Sequence, residues 1–228
     1  MSRSFNGSSD FLVSSINVDL SAVKIFSVSF WLNWGDNTGT IRSAVQQGSN
    51  SGVDSSCLIA PQDSFVGNKF IVYNQGNAGA NIPAYPQIST GSYHHICCIY
   101  DRNQPVNQGT LFVDASVITG NMIQQDVNTN NFTDDLLFFM CSSTAGVQSL
   151  FGQGLMAEFS IFPGVRLSTD EINILFMGVS PYLVKPGVHP WYWPLIGVTS
   201  PETEYSYAAN ATVNGATQSP HIRVYYPE

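Results

Sequence analysis

The sequence predicts an all-β protein, an antiparallel sandwich of two sheets, and three observations carry that prediction. Between Lys24 and Trp34, Phe26, Val28, Phe30, Leu32 and Trp34 alternate with Ser27, Ser29, Trp31 and Asn33. This period of two sends one set into a core and the other to a wetter face. The stretch Gly91 to Ile118 contains two more such runs, Tyr93 to Tyr100 and Thr110 to Ala115, separated by the Asn, Pro and Gly of residues 101–109. Both faces of these runs are largely apolar, as expected of strands covered on two sides. Only one helix signal breaks the pattern. At 168–177, Ser168 is placed to cap and Glu171 to complete a capping box, Ile172, Leu175 and Phe176 form a stripe, and Gly178 stops the turn.

Taken in order, Ser4 to Val13 reads as a strand, a polar turn and a second apolar pair. After the strand at 24–34, short strands are expected at Ile41 to Val45, Cys57 to Ala60 and Lys69 to Tyr73. Asn74 to Gln87, with its Gly, Asn and Pro, reads as a long loop of the kind that often carries function. After the central hairpin, Asp114-Ala115 makes the next turn, and because Ala tolerates positive φ poorly, a turn of another type than an Asp-Gly turn is expected there. Leu136 to Cys141 and Leu155 to Phe162 read as buried strands.

Several of these segments resemble the laminin-G-like domains of the concanavalin A-like lectin/glucanase superfamily, in versions similar to those encoded in phage genomes. The resemblance rests on Gly91-x-Tyr93-His94-His95 leading to Tyr100-Asp101, on Gly109-Thr110-Leu111-Phe112-Val113-Asp114, and on Phe26 to Trp31. It extends to Phe151-Gly152 through Glu158 and to Leu167-Ser168-Thr169-Asp170-Glu171-Ile172. It implies a jelly roll. Asn6 and Ala157 stand where the family places acids, while Asp10 and Glu158 keep theirs. The tail, residues 179–228, carries Trp191 to Leu195 and Ala211 to Thr217, which resemble strands that family members place at their start. The expectation is one domain over 1–228, circularly permuted, with the tail either completing the sandwich or extending to a partner.

Charged residues make up 11% of the chain, so Asn, Ser, Thr, Gln and Gly must form most of the polar surface. Such a surface is cheaper to desolvate than a charged one and suits packing against other subunits. The net charge of −8 excludes a phosphate-binding face, hence nucleic acid. No apolar run is long enough for membrane insertion, and the first residues hold no signal-peptide core, so synthesis in a host cytoplasm is expected. Cys57, Cys97, Cys98 and Cys141 fall in interior strands and read as buried, reduced thiols.

No catalytic set is legible. The paired carboxylates of a glycosidase are absent apart from Glu202-Thr203-Glu204, which follows Ser200-Pro201 and reads as a solvated turn. His94 and His95 diverge on a strand, so one is expected buried with a hydrogen bond and the other facing a loop. Calcium is the cofactor that the resemblance implies, held by Asp10 and Glu158 with Asp36, Asp54 or Asp101. A sugar platform would use Trp34, Tyr85 and the amides of Asn74 and Asn77. Tyr225 and Tyr226 are candidates for docking to a partner.

Two functions follow. The first is a non-enzymatic structural virion protein, a phage capsid decoration or fibre-associated subunit that self-assembles with other virion subunits and binds surface glycans. The second is a carbohydrate-binding adhesion module.

Overall fold

The alternation in Ile25–Trp34 is realised in full: Phe26, Val28, Phe30, Leu32 and Trp34 all enter the main core. The structure, a computed structural model, describes residues 1–35, 41–48, 57–196 and 200–221. Among these, two eight-stranded antiparallel sheets face each other. The first runs Ser116–Val117, Gly109–Val113, Tyr93–Asp101, Ile25–Trp34, Gln153–Pro163, Ser2–Asn6 and Thr217–Ser219, with Trp191–Trp193 also paired to Gln153–Pro163. The second runs Asn121–Gln125, Gly79–Tyr85, Lys69–Gly76, Cys57–Asp63, Val45–Gln47, Leu137–Phe139, Phe11–Ser14 and Ala211–Asn214. This is the jelly-roll sandwich the sequence predicts.

Aromatic rings fill the space between the sheets. Phe139 meets Phe159 edge-on at 4.8 Å and Trp193 at 5.5 Å, and Phe26 stacks on Tyr100 at 4.8 Å. Each such side chain contributes about 1.5–3 kcal/mol by leaving water. A second cluster, Cys97, Ile99, Phe112, Phe162, Leu167, Ile172 and Leu175, lies on the outer face of the first sheet. There α1, Thr169–Phe176, covers it, with both halves of the expected capping box formed by Ser168 and Glu171. A further short helix, α2, Pro181–Val184, follows, and Lys185 ties it to α1 through Glu171 at 2.7 Å. The four cysteines are buried and free, and burial pushes the Cys57 and Cys141 thiols up to about 12.

The stretch Asn74 to Gln87 is a correction. It holds the end of Lys69–Gly76, a tight turn, and the whole of Gly79–Tyr85, not a long loop. Pro83, which argued against a strand, sits beside a register shift in Asn121–Gln125, where a missing N–H costs little. The tail is equally regular. Trp191–Trp193 and Thr217–Ser219 join the first sheet and Ala211–Asn214 the second. Gly215, φ 77, makes the step between sheets, and a Cβ there would lie 2.2 Å from the Asp10 carboxylate.

The turn at Asp114-Ala115 also departs from expectation. Both residues have positive φ, 50 and 61, joining Val113 to Ser116 as a two-residue hairpin. Such a hairpin favours this mirror-image turn because its twist matches the strands. Asp114 is anchored there: its carboxylate accepts from the His95 backbone N–H at 2.9 Å and pairs with His94 Nδ1 at 2.7 Å. Ala115 has no such anchor. Ala115→Gly should therefore stabilise the protein by about 0.5–1 kcal/mol, measured as a raised midpoint of thermal or denaturant unfolding.

His95 itself is buried, with Nε2 2.8 Å from the Ser29 hydroxyl, while His94 lies nearer the surface, as expected of the pair. Burial holds the His95 imidazole down to about 4, against a smaller opposing pull from Asp114. The folded state thus binds fewer protons than the unfolded chain between those two values. Stability should be complete above pH 6.5 and fall as pH drops towards 4, by on the order of 2–3 kcal/mol. Denaturant titrations across that window should show the slope, and His95→Gln should reduce it, leaving the part that His221, also held down to about 4 by burial, contributes.

Candidate functional site

The central hairpin and the tail bring different residues together from those the sequence singles out. Trp34 is 0% exposed and Tyr85 lies in the same core, its hydroxyl donating to the Gly109 carbonyl. Asn74 is also buried, its side-chain oxygen accepting from Arg102 at 2.9 Å and 3.1 Å. Arg102 lies 3.8 Å above the Phe132 ring and also donates to the carbonyls of Gln75 and Asn131. Asn74 therefore belongs to a buried amide cluster that fixes loops. Asn77 alone of the four is exposed, and its side chain takes the Thr129 N–H. These residues do not make a sugar platform.

Asp10 and Glu158 are not brought together. Asp10 accepts the Asn6 N–H at 3.0 Å, and the Asn6 side chain accepts from Ser8, Ser9 and Asp10, so this amide caps the first turn. Asp101 accepts from Asn103 and Gln104 and pairs with Arg166. Among the described residues no group of three or more His, Cys, Asp and Glu side chains converges to hold a metal. Asp36, Asp54, Tyr225 and Tyr226 lie outside the described residues.

Glu158 lies instead where Gln153–Pro163 changes neighbour. Residues 153–156 pair with Ser2–Asn6, and 159–161 pair with Trp191–Trp193. Between them Glu158 adopts φ 53, its N–H donating to Pro194 O at 3.0 Å. The buried Tyr192 hydroxyl donates to its carboxylate. Glu158 also shares with Ser29, Trp31, His95 and Leu175 a cavity of about 10 Å³. That volume admits at most one water, and Ser29 is buried, so the Ser29–His95 pair has no room for a substrate.

The two carboxylates expected in a solvated turn are buried. Glu202 is 1% exposed and Glu204 is 3% exposed. Arg3, at the start of the first strand, pairs with Glu202 at 2.8 Å and donates to the Ala216 carbonyl. Glu204 accepts the backbone N–H groups of Tyr192, Ser206 and Tyr207. These two anchors shape the chain after 200 into a wall.

Facing that wall is a groove of about 370 Å³ lined by Ser180, Tyr182, Tyr192, Pro194, Ile196 and Tyr205. It continues past Pro194, Ile196 and Tyr205 into a recess of about 240 Å³ that reaches Glu202 and Thr203. Tyr182 stands perpendicular to Tyr192 at 5.5 Å, held by a 2.8 Å hydrogen bond to Ser206. Tyr205 lies 5.9 Å from Tyr192 and is 59% exposed. The groove thus combines an open aromatic face with hydroxyls and a carboxylate, in the size range of about 300–1,000 Å³ usual for small-molecule sites. The tyrosines of the tail were the available signal, but nothing local in the sequence pairs Tyr205 with Tyr182 and Tyr192.

On the outer face of the second sheet lies a different groove, of about 330 Å³, lined by Leu58, Asp63, Val66, Ile71, Tyr73 and Ile82, with Phe65 87% exposed beside it. It is more apolar, and its carboxylate, Asp63, is spent on the Phe65 N–H at 2.8 Å.

Among solved structures, a candidate carbohydrate binding protein from Bacteroides ovatus aligns with 98% of this chain at TM-score 0.68 and 15% identity. This chain spans 61% of that protein's length. A heptameric SAP-like pentraxin from Limulus polyphemus aligns over 94% of this chain and 95% of its own at TM-score 0.61 and 10% identity. Domain 4 of an extracellular arabinanase from Geobacillus stearothermophilus, solved with arabinotriose, covers 76% of this chain and 75% of its own at TM-score 0.53 and 17% identity. Identities this low establish a shared fold. The comparison with curated proteins finds no match. A family model described as the concanavalin A-like lectin/glucanases superfamily matches residues 6–173, the sandwich up to α1, and the chain belongs to that superfamily.

Proposed function

We propose that the chain is a non-enzymatic carbohydrate-binding protein whose glycan site is the tyrosine groove between α2 and the residue 200–206 segment. The observation that carries this reading is the open Tyr205 ring set beside Tyr182, Tyr192 and the hydroxyls of Ser180 and Thr203. Sugars present one face of C–H groups to an aromatic ring and a rim of hydroxyls to polar neighbours, and this groove offers both. The likeness in fold to the Bacteroides protein and to the arabinotriose-bound domain supports the class.

A second reading, that the protein is a virion decoration or fibre-associated subunit displaying this groove, is favoured by the apolar face around Phe65, Tyr73 and Ile82, which suits contact with another subunit. The two readings are compatible, and native mass by light scattering separates them: a closed oligomer favours the assembly subunit and a monomer the free-standing module.

The glycan reading is tested by titrating the protein with the oligosaccharide that binds best on a glycan array. Tyr205→Ala should weaken binding by roughly tenfold with the melting temperature preserved, because the ring is mostly exposed. Phe65→Ala, on the other face, should leave affinity unchanged. Equal binding by wild type and Tyr205→Ala would remove the groove as the site.

A further inference from the structure

Where Tyr93–Asp101 begins, three side chains stand in line, and neither groove includes them. The Ser89 hydroxyl lies 2.6 Å from His94 Nε2, and His94 Nδ1 lies 2.7 Å from Asp114 Oδ2. Asp114 is fixed in turn. Its other carboxylate oxygen accepts the His95 N–H at 2.9 Å, and its own N–H donates to the His95 carbonyl at 2.9 Å. Ser89 is held from both sides: Ile88 is buried in the main core, and Gly91, φ 77, donates its N–H to the Trp34 carbonyl at 3.0 Å. Ser89 is exposed, and the His94 and Asp114 side chains are 17% and 38% exposed.

This order fixes the protons. An ionised carboxylate only accepts, so in the neutral imidazole the hydrogen sits on Nδ1 and the bare Nε2 takes the Ser89 O–H. A serine hydroxyl bonded to a base that a carboxylate orients is the arrangement that activates an oxygen nucleophile. The pair Ser29–His95 lacks both the orienting carboxylate and the access. His95 Nδ1 has no hydrogen-bond partner, and Ser29 is buried beside a cavity of about 10 Å³.

We propose that Ser89 is a covalent modification site, a nucleophile that takes the acyl group of an activated ester or thioester. Ser89 Oγ attacks the carbonyl carbon and its proton passes to His94 Nε2. The bond from that carbon to the leaving oxygen or sulfur then breaks, the phenolate or thiolate departs with the electron pair, and His94 returns the proton to it or to water. Asp114 is a positioning residue that holds the ring and stabilises the charge it gains. The chemistry stops there. The product is an ordinary alkyl ester with a poor leaving group, and hydrolysing it needs preorganised oxyanion donors, each worth about 10²–10³ in rate. The nearby Gly91 N–H is spent on the Trp34 carbonyl. The acyl group therefore stays on the chain as a single transfer without turnover, and the proposal stands or falls independently of the glycan groove.

The test treats the full chain with p-nitrophenyl acetate and follows p-nitrophenolate release, intact mass and peptide masses. The expected result is a rapid release of one equivalent above the Ser89→Ala background, with the acetyl group mapped to Ser89. A fluorophosphonate serine probe should label the untreated chain at Ser89 and fail to label the acetylated one. His94→Gln should slow acetylation by roughly a hundredfold and Asp114→Asn by roughly tenfold or more. Ser92→Ala, which removes another exposed serine of the same turn, should change neither readout. Melting temperatures taken alongside separate chemistry from support: a hydrogen-bond chain that only braces the turn would lower stability in these variants and leave no labelled serine. Absence of both labels from Ser89, or labelling that His94→Gln and Asp114→Asn leave unchanged, would overturn the proposal. Ser89-dependent release continuing well past one equivalent would overturn the single transfer.

Discussion

The architecture depends on one point in one strand. Gln153–Pro163 is an interior strand of the first sheet, and one of its edges must serve two neighbours, Ser2–Asn6 along its first half and Trp191–Trp193 along its second. The changeover is a register shift between Ala157 and Ser160 with Glu158 at positive φ, a conformation that costs about 1–2 kcal/mol for a residue with a Cβ. The hydrogen bonds to Pro194 O and from Tyr192 offset it. From this junction the rest follows. The tail enters the sheet, Arg3 reaches across to Glu202, and Tyr192 is set between α2 and the residue 200–206 segment as the floor of a groove.

This arrangement explains why the molecule buries ionic groups despite having so few. Arg3 and Glu202 sit at opposite ends of the chain and pair in the interior, which specifies where the tail lies more than it adds net stability. Arg102 has the corresponding role at the other end of the sandwich, where it gathers Asn74, Gln75, Asn130 and Asn131 over the Phe132 ring. Removing either guanidinium leaves buried acceptors unpaired, a larger penalty than the worth of the bonds themselves.

What the sequence made legible was local or periodic. The face assignment of Phe26 to Trp34 needs only a period of two, the α1 cap needs only Ser168 and Glu171, and the thiol assignment needs only that neighbouring strand residues diverge. What was not legible depends on distant partners. Tyr85 is aromatic beside a stretch that reads as a loop, and its side chain enters the main core because Gly79–Tyr85 is a strand paired with Lys69–Gly76. Asn74 is spent on Arg102, and the acids at 202 and 204 are buried because Arg3 and the Tyr192 backbone come to them. Ala115 breaks the local turn rule because Asp114 is held by both histidines, so tertiary anchoring overrides propensity. The laminin-G-like resemblance located the sandwich; the candidate site lies beyond the matched residues 6–173, on the tail that such a pattern describes least.

The central claim is that sugar occupies the tyrosine groove. An amide NMR titration with the best array oligosaccharide tests it most directly. Saturable shifts clustered on the backbone of Tyr182, Tyr192, Glu204 and Tyr205 are the predicted result. Shifts clustered instead on Leu58, Phe65, Tyr73 and Ile82 would place the ligand on the opposite sheet and contradict the account.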